Sequence, residues 1–312
     1  MLQSSVQHTA IDAWIQAYLE DNRPRARSLI VTLFGDTVMP YCERIWVGDL
    51  IALLAPFGVN GRLVRTSVYR LSEAGWLSSQ RNGRRSYYTL APAGRRRFQH
   101  AYARVYHQPG AWQGGWAIAV LPKNTDAVDR AQLRRELEWE GFAAAGRGVF
   151  LRPTDDASAA REVINSLNLN PIVSVFEAHA ADAAAPPAIT DLVAQSWSLE
   201  PAAEAYASFN AKLSVLLPHI QAGTELAPAQ AFMIQTLMID AFRWATLRDP
   251  QLPAALLPES WPGHSARALC GKLYRQLHDA TRRHLAAILD TGKQVSTVPD
   301  AVAARFGASG GV

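Results

Sequence analysis

Asn82-Gly83 constrains the fold of this chain more than any other pair of residues. It sits between two runs with strand character, residues 76–80 and residues 85–90, the second carrying Tyr87 and Tyr88. A two-residue hairpin loop that matches the twist of its strands needs positive φ, which Asn and Gly adopt at little cost. The pair therefore predicts a tight hairpin with a type I′ turn, and Arg81, Arg84 and Arg85 make that hairpin basic.

What precedes the hairpin is helical. Asn60 is placed to cap a helix that stops at Gly75, a residue suited to the left-handed position after a helix. Val64, Val68 and Leu71 fall on one side of it, while Arg62, Arg65, Thr66, Tyr69 and Arg70 fall on the other, with Glu73 at its end. Upstream, Ile11, Trp14, Ile15, Tyr18 and Leu19 form an apolar stripe at helical spacing. A second helix is expected over residues 26–36, with Leu29, Ile30, Leu33 and Phe34 before Gly35, and a third over residues 47–55, ending before Pro56 and Gly58. Pro92 opens a further helix with Arg95, Arg96 and Arg97. Helices, a capped basic helix and a basic hairpin, in that order, describe a winged helix-turn-helix within residues 1–108.

Charge singles out the same region. Residues 60–104 hold ten arginines and one acid, Glu73, a window of +9 in a chain of net +4, so the remainder stands at −5. A basic island in an otherwise acidic protein is the footprint of local phosphate neutralisation, here by double-stranded DNA. The expected DNA-binding residues are Arg62, Arg65, Thr66, Tyr69, Arg70, Arg81, Asn82, Arg84 and Arg85.

Beyond a linker at Pro109, Gly110, Gly114 and Gly115 the pattern changes. Strands are expected at residues 116–121, 148–151 and 172–176, with a weakly marked one at 142–145, and helices at 127–139 and 157–167. This is a β-α-β-β-α-β ferredoxin-like (Cas2-like) domain over residues 109–182. An alanine-proline linker follows at residues 180–188, then an all-helical C-terminal domain over residues 189–292, with helices near 189–197, 202–221, 228–248 and 264–290. Residues 293–312 lack a pattern and read as a loose tail. The expected fold class is thus an α+β multidomain chain of winged helix-turn-helix, ferredoxin-like middle and all-helical C-terminal parts.

Enzyme chemistry finds little support. Cys42 and Cys270 are far apart with no metal-ligand spacing, the eight histidines include no HExxH, and no GxSxG elbow occurs. A metal-dependent nuclease of the Cas2 type needs an acid at the end of its first strand, where Val120-Leu121-Pro122 stands instead. Asp155-Asp156 read as the start of a helix. No metal, cofactor or catalytic residue is expected. No run of about 18 apolar residues and no export leader is present, so the expectation is a cytoplasmic protein without a membrane partner. The C-terminal aromatics, with Arg243 and Arg248 near them in sequence, would suit a ligand with one flat apolar end and one phosphorylated end.

Several segments resemble the PaaX family, repressors of bacterial phenylacetate-degradation operons, across nearly the whole length. They are residues 28–36 (SLIVTLFGD), 45–48 (IWVG), 63–66 (LVRT), Arg70-Leu71, 75–77 (GWL), 83–88 (GRRSYY), 248–253 (RDPQLP), 256–258 (LLP) and 261–264 (WPGH). The resemblance implies a homodimeric repressor of three parts that leaves its operator when phenylacetyl-CoA binds. The expected effector residues are Trp197, Phe242, Arg243, Trp244, Arg248 and Trp261. Three positions depart from the family pattern. Cys42-Glu43 stand in place of a glycine pair, Ala91 in place of a Ser or Thr cap, and Phe242-Arg243-Trp244 in place of a more basic stretch. The last leaves open a repressor of the same family that answers a different aryl-CoA.

Overall fold

The computed structural model of the chain describes residues 2–107, 111–179, 187–221, 226–290 and 299–307. Pro109 and Gly110 of the first linker and residues 180–186 of the second lie outside the described residues. The chain divides into two compact units, Met1–Gln108 with Tyr206–Trp244 and Pro262–Val312, and Pro109–Ala205 with Ala245–Trp261.

The first unit opens with α1 (Leu2–Asp21), whose Ile11 and Ile15 are buried as the stripe predicts. Then comes α2 (Ala26–Leu33), which buries Leu29, Ile30 and Leu33. Gly35 does not end this helix. The chain continues as a π-helical turn over Phe34–Val38, with the Met39 N–H donating to the Phe34 carbonyl at 2.9 Å and the Thr37 hydroxyl donating to the Leu33 carbonyl at 2.7 Å. Wide turns of this kind re-aim side chains, and here Asp36 is buried.

Next follow β1 (Ile45–Trp46), α3 (Val47–Leu54), α4 (Gly61–Glu73), β2 (Leu77–Asn82), β3 (Arg85–Leu90) and α5 (Pro92–Tyr106). The sheet order is β1-β3-β2, antiparallel throughout. The hairpin turns one residue later than expected. Asn82 pairs with Arg85, so the loop is Gly83-Arg84, and φ is positive at Gly83 (58°) but not at Asn82. That is the pattern of a type II′ turn, not I′. Register is decided at the other end of the hairpin, where Leu77 and Leu90, both buried, stand opposite each other. A turn centred on Asn82-Gly83 would slip the ladder and break that pair. Behind the hairpin, a Cβ on Gly94 of α5 would stand 2.1 Å from the Trp76 carbonyl oxygen, so only glycine allows this approach.

The second unit contains β4 (Gly115–Val120), α6 (Ala127–Trp139), β5 (Ala143–Gly146), β6 (Val149–Pro153), α7 (Ser158–Ser166) and β7 (Ser174–His179). Its sheet order, β5-β6-β4-β7 with antiparallel pairs, is that of a ferredoxin-like fold. The weakly marked strand is present as β5. Leu133, Leu137, Val163 and Ile164 of the two helices cover the face carrying Ala117, Ala119 and Phe150. On the other face Trp116 and Ala143 pack with Val193 of α8 (Pro187–Ser196), Trp197, Leu252 and Leu256.

The remaining helices are α9 (Glu200–Ser214), α10 (Leu217–Gln221), α11 (Pro228–Thr246), α12 (Pro262–Ile288) and α13 (Asp300–Ala303). Space groups them differently from sequence order. Phe232 and Leu237 of α11, Leu285 of α12, Leu289 and Val302 share one core with Leu29, Leu33, Leu53, Val64 and Leu71. The reason is apolar demand: α2, α3 and α4 leave surface that the C-terminal helices cover. Among the described residues no single helix is long and apolar enough to cross a membrane.

The patternless tail is also packed where it is described. Val302, Arg305 and Phe306 are buried. Arg305 Nη1 donates to Asp36 Oδ1 at 2.9 Å, the two side chains being 0% and 1% exposed. Tyr106 donates to the same carboxylate oxygen at 2.6 Å and Gln235 to the other at 2.8 Å. Arg305 also meets the Tyr274 hydroxyl and the Asp36 carbonyl, with its guanidinium 4.1 Å from the Tyr106 ring centroid. Burial, with Asp36 beside them, pushes the phenols of Tyr106 and Tyr274 well above their ordinary range. The tail looked loose because one arginine and one phenylalanine make no periodic pattern, whatever they bury.

Removing one member of this pair strands the other in the interior. Arg305→Met or Asp36→Asn is expected to lower unfolding free energy by about 3–5 kcal/mol, read as a fall in the urea midpoint; an unchanged midpoint for both would refute this. Burial also lowers the pKa values of His278 and His284. The unfolded chain takes up protons at these positions below about pH 6.5 while the folded protein resists. Stability should therefore hold above that pH and fall as pH drops below it. In His278→Gln/His284→Gln the decline should be shallower; an identical pH profile would count against the assignment.

Candidate nucleic-acid interface

Helix α4 is positioned by its buried side. Val64, Ser67, Val68 and Leu71 are buried, and the Asn60 side chain accepts from the Leu63 N–H at 2.9 Å, capping the first turn as the sequence predicts. Gly75, at φ 70°, ends it. The opposite side is exposed and carries Arg62, Arg65, Thr66, Tyr69 and Arg70, with Tyr69 63% exposed. Their bonds are local: Arg65 Nη1 donates to the Gly61 carbonyl at 3.2 Å and the Thr66 hydroxyl to the Arg62 carbonyl at 3.0 Å. Among the described residues Arg62, Arg65 and Arg70 have no acidic partner.

The hairpin carries Arg81, Asn82, Arg84 and Arg85, all exposed. The observed register separates them. Opposed residues share a face and successive residues alternate. Asn82, Arg85, Gln80 and Tyr87 therefore lie on one face, Arg81 and Ser86 on the other, and Arg84 at the tip. The expected set of wing arginines is not a single cluster.

On the Arg85 face cations and rings alternate. The Arg85 guanidinium lies 4.5 Å from the Trp46 ring centroid and that of Arg44 lies 4.7 Å from Tyr87. A cavity of about 390 Å³ beside them is lined by Cys42, Glu43, Arg44, Gln80, Tyr87, Tyr88 and Thr89. Arg85 also pairs with Asp290, Nη1 to Oδ2 at 2.8 Å, and the Asp290 N–H donates to Asp49 Oδ2 at 3.0 Å. Burial, with Asp290 nearby, raises the Asp49 carboxyl above its usual value despite that N–H bond. Arg44, Trp46, Tyr87 and Asp290 escaped the sequence reading. Strand alternation flags the first three once β1 is known; nothing local points to Asp290, 205 residues from Arg85.

The six residues expected to hold an effector divide between the two units. Trp197 is buried in the second unit, its indole N–H donating to the Gly141 carbonyl at 3.0 Å. Trp261 is buried and Arg248 exposed in the same unit. Phe242, Arg243 and Trp244 belong to the first unit. Phe242 is an interior side chain among Phe209, Tyr206 and Phe306, with Arg267 over its ring. Arg243 is engaged with Ser28 at 2.7 Å, Thr32 at 3.2 Å and Asp240 at 3.2 Å. Trp244 is 51% exposed.

Comparison with known proteins matches three segments to family models. Residues 25–94 match "PaaX-like protein", residues 109–190 the "PaaX protein central Cas2-like domain", and residues 197–287 the "PaaX-like protein C-terminal domain". A solved structure of an uncharacterized protein from Mycobacterium tuberculosis aligns over 82% of this chain and 97% of its own, at 24% identity and a TM-score of 0.49. The transcriptional repressor PaaX of Escherichia coli (strain K12) is 34% identical over 286 residues, 91% of this chain and 89% of that protein. Matched in all three segments and along nearly its whole length, the chain belongs to the PaaX family.

Proposed function

We propose that this protein is a cytoplasmic transcriptional repressor, not an enzyme. In this reading it binds an operator as a homodimer through a winged helix-turn-helix, controls phenylacetate catabolism, and is released by phenylacetyl-CoA. The observation that carries the reading is the α4 surface: five polar or basic side chains exposed above a buried Val64-Val68-Leu71 seam, with arginines that have no acidic partner among the described residues. A major groove admits such a helix, and arginine forks match guanine edges and phosphates. Arg81 and Arg84 on the neighbouring hairpin suit phosphate contacts. The PaaX relative, named as a transcriptional repressor, supports the same function.

Against an enzyme, acids of the ferredoxin-like unit are engaged structurally: Glu177 of β7 pairs with Arg161 at 3.0 Å. Asp155 accepts from the Gln113 and Gly115 N–H groups at 2.8 and 2.9 Å, and Asp156 from the Ser158 N–H at 2.8 Å. A second reading, a repressor answering a different aryl-CoA, is favoured by one observation: Arg243 is held by Asp240, Ser28 and Thr32 while Trp244 is exposed.

The direct test selects a binding sequence from a random duplex pool and titrates the complex with a panel of aryl-CoA thioesters and their free acids. Selective release by phenylacetyl-CoA is expected; release by another thioester would favour the second reading, and failure to enrich any duplex would defeat the function. Arg65→Ala and Arg70→Ala should each cost about 1–3 kcal/mol of affinity for the selected site if they read bases, measured by anisotropy; no loss in either would overturn the orientation of α4. Arg81→Ala and Arg84→Ala should weaken selected and random duplexes alike and reduce the salt slope by about 0.9 per lost phosphate contact. Loss confined to the selected site would show that they read bases instead. Linkage requires that the duplex weaken thioester binding by the factor that the thioester weakens the duplex. Calorimetry giving equal thioester affinity with and without DNA would exclude derepression by that compound.

A further inference from the structure

The Arg85 face of the hairpin holds an oxyanion already. Asp290 Oδ2 accepts from Arg85 Nη1 at 2.8 Å and from the Tyr87 hydroxyl at 3.3 Å. Trp46 backs the Arg85 guanidinium, and Arg44 sits on the Tyr87 ring. The carboxylate is delivered from just past the end of α12 and fixed there through the backbone, since its own N–H donates to Asp49. Both partners are open to solvent, with Arg85 48% and Asp290 47% exposed.

We propose that Arg85 and Tyr87 form a phosphodiester site and that the Asp290 carboxylate occupies it in the DNA-free protein, so that docking DNA on this face exchanges an internal carboxylate for a backbone phosphate. The inference rests on the DNA-binding reading above and adds to it a site and its competitor. A phosphodiester oxygen accepts from a guanidinium and a hydroxyl in the geometry a carboxylate oxygen uses, and arginine is suited to both. An exposed ion pair is held weakly enough to exchange. Arg44 and Arg84 add positive charge on the same face and at the tip, which favours the polyanion over the single carboxylate. The site also ties the DNA face to α12, because the competing group belongs to that helix's end.

The test is a double-mutant cycle in the full-length protein, with random-sequence duplex as probe and anisotropy read across a salt series. Asp290→Asn should bind the duplex about two- to fivefold tighter, the range of an exposed ion pair, with a salt slope steeper by up to about 0.9. That gain should vanish in Asp290→Asn/Arg85→Ala. Glu73→Gln, which removes a charge at the end of α4 without touching Arg85, serves as the control for generic electrostatics: its gain should persist in the Arg85→Ala background. A thermal melt matching wild type verifies folding, and the Asp49 bond, made to a backbone N–H, survives the substitution. A gain from Asp290→Asn that is equal with and without Arg85, or no gain in a protein that binds duplex, would overturn the exchange while leaving the DNA-binding function intact. No binding by the wild-type chain would overturn both.

Discussion

Burying a carboxylate and a guanidinium together is costly, about several kcal/mol of desolvation per ion, and only close geometry with further hydrogen bonds returns it. The Asp36–Arg305 pair meets that condition. Both carboxylate oxygens are bonded, by Tyr106 and Arg305 on one side and Gln235 on the other, and the guanidinium is enclosed by Tyr102, Tyr106 and Tyr274. Five stretches of chain meet there: the π-helical turn after α2, α5, α11, α12 and the segment after α13. The pair specifies which tail residue enters and at what depth, something apolar packing alone does loosely. Phe306 follows it into the rings of Tyr106, Phe242 and Tyr274, at a φ of 59° that a bulky residue adopts only under constraint.

Legibility in the sequence followed the range of the interactions. The capped helix α4, its buried seam and its exposed arginines were readable because cap, stripe and stop are all local. The ferredoxin-like order was readable because strand and helix periods alternate, and even the weak strand β5 was marked by its place in that order. The turn register was not, since Asn82-Gly83 states a local preference and Leu77–Leu90 overrides it from five residues away. The grouping of α11 and α12 with α2, α3 and α4 was invisible for the same reason on a larger scale: each helix announces an apolar face without naming what covers it. Asp36 stood inside a segment that carries the family resemblance, yet its partner lay 269 residues downstream in what read as a tail.

Aromatic composition does not tell which of the expected effector residues are interior. Trp197 and Phe242 are large and apolar, and both are consumed by cores, in different units. Arg243, one of the two arginines the sequence sets near these aromatics, already faces Asp240 and donates to the hydroxyls of Ser28 and Thr32. Trp244 is left as the exposed member of that triplet.

Control of DNA binding by a ligand has usually to cross a linker, and the glycine and alanine-proline linkers invite that view. The shared core makes a shorter route available. Leu285 of α12 and the following Leu289 pack in the core that carries Val64 and Leu71 of α4, and the next residue, Asp290, grips the hairpin through Arg85 and α3 through Asp49. Under the proposed function, a ligand that shifts the end of α12 changes the seat of α4 and the availability of Arg85 together, with no hinge required. Coupling of this kind needs only that the two arrangements of α12 differ in their affinity for the ligand. The reach from residue 85 to residue 290 thus ties the hairpin's charge to the residue just past α12, the helix whose side chains help build the core beneath the exposed side of α4.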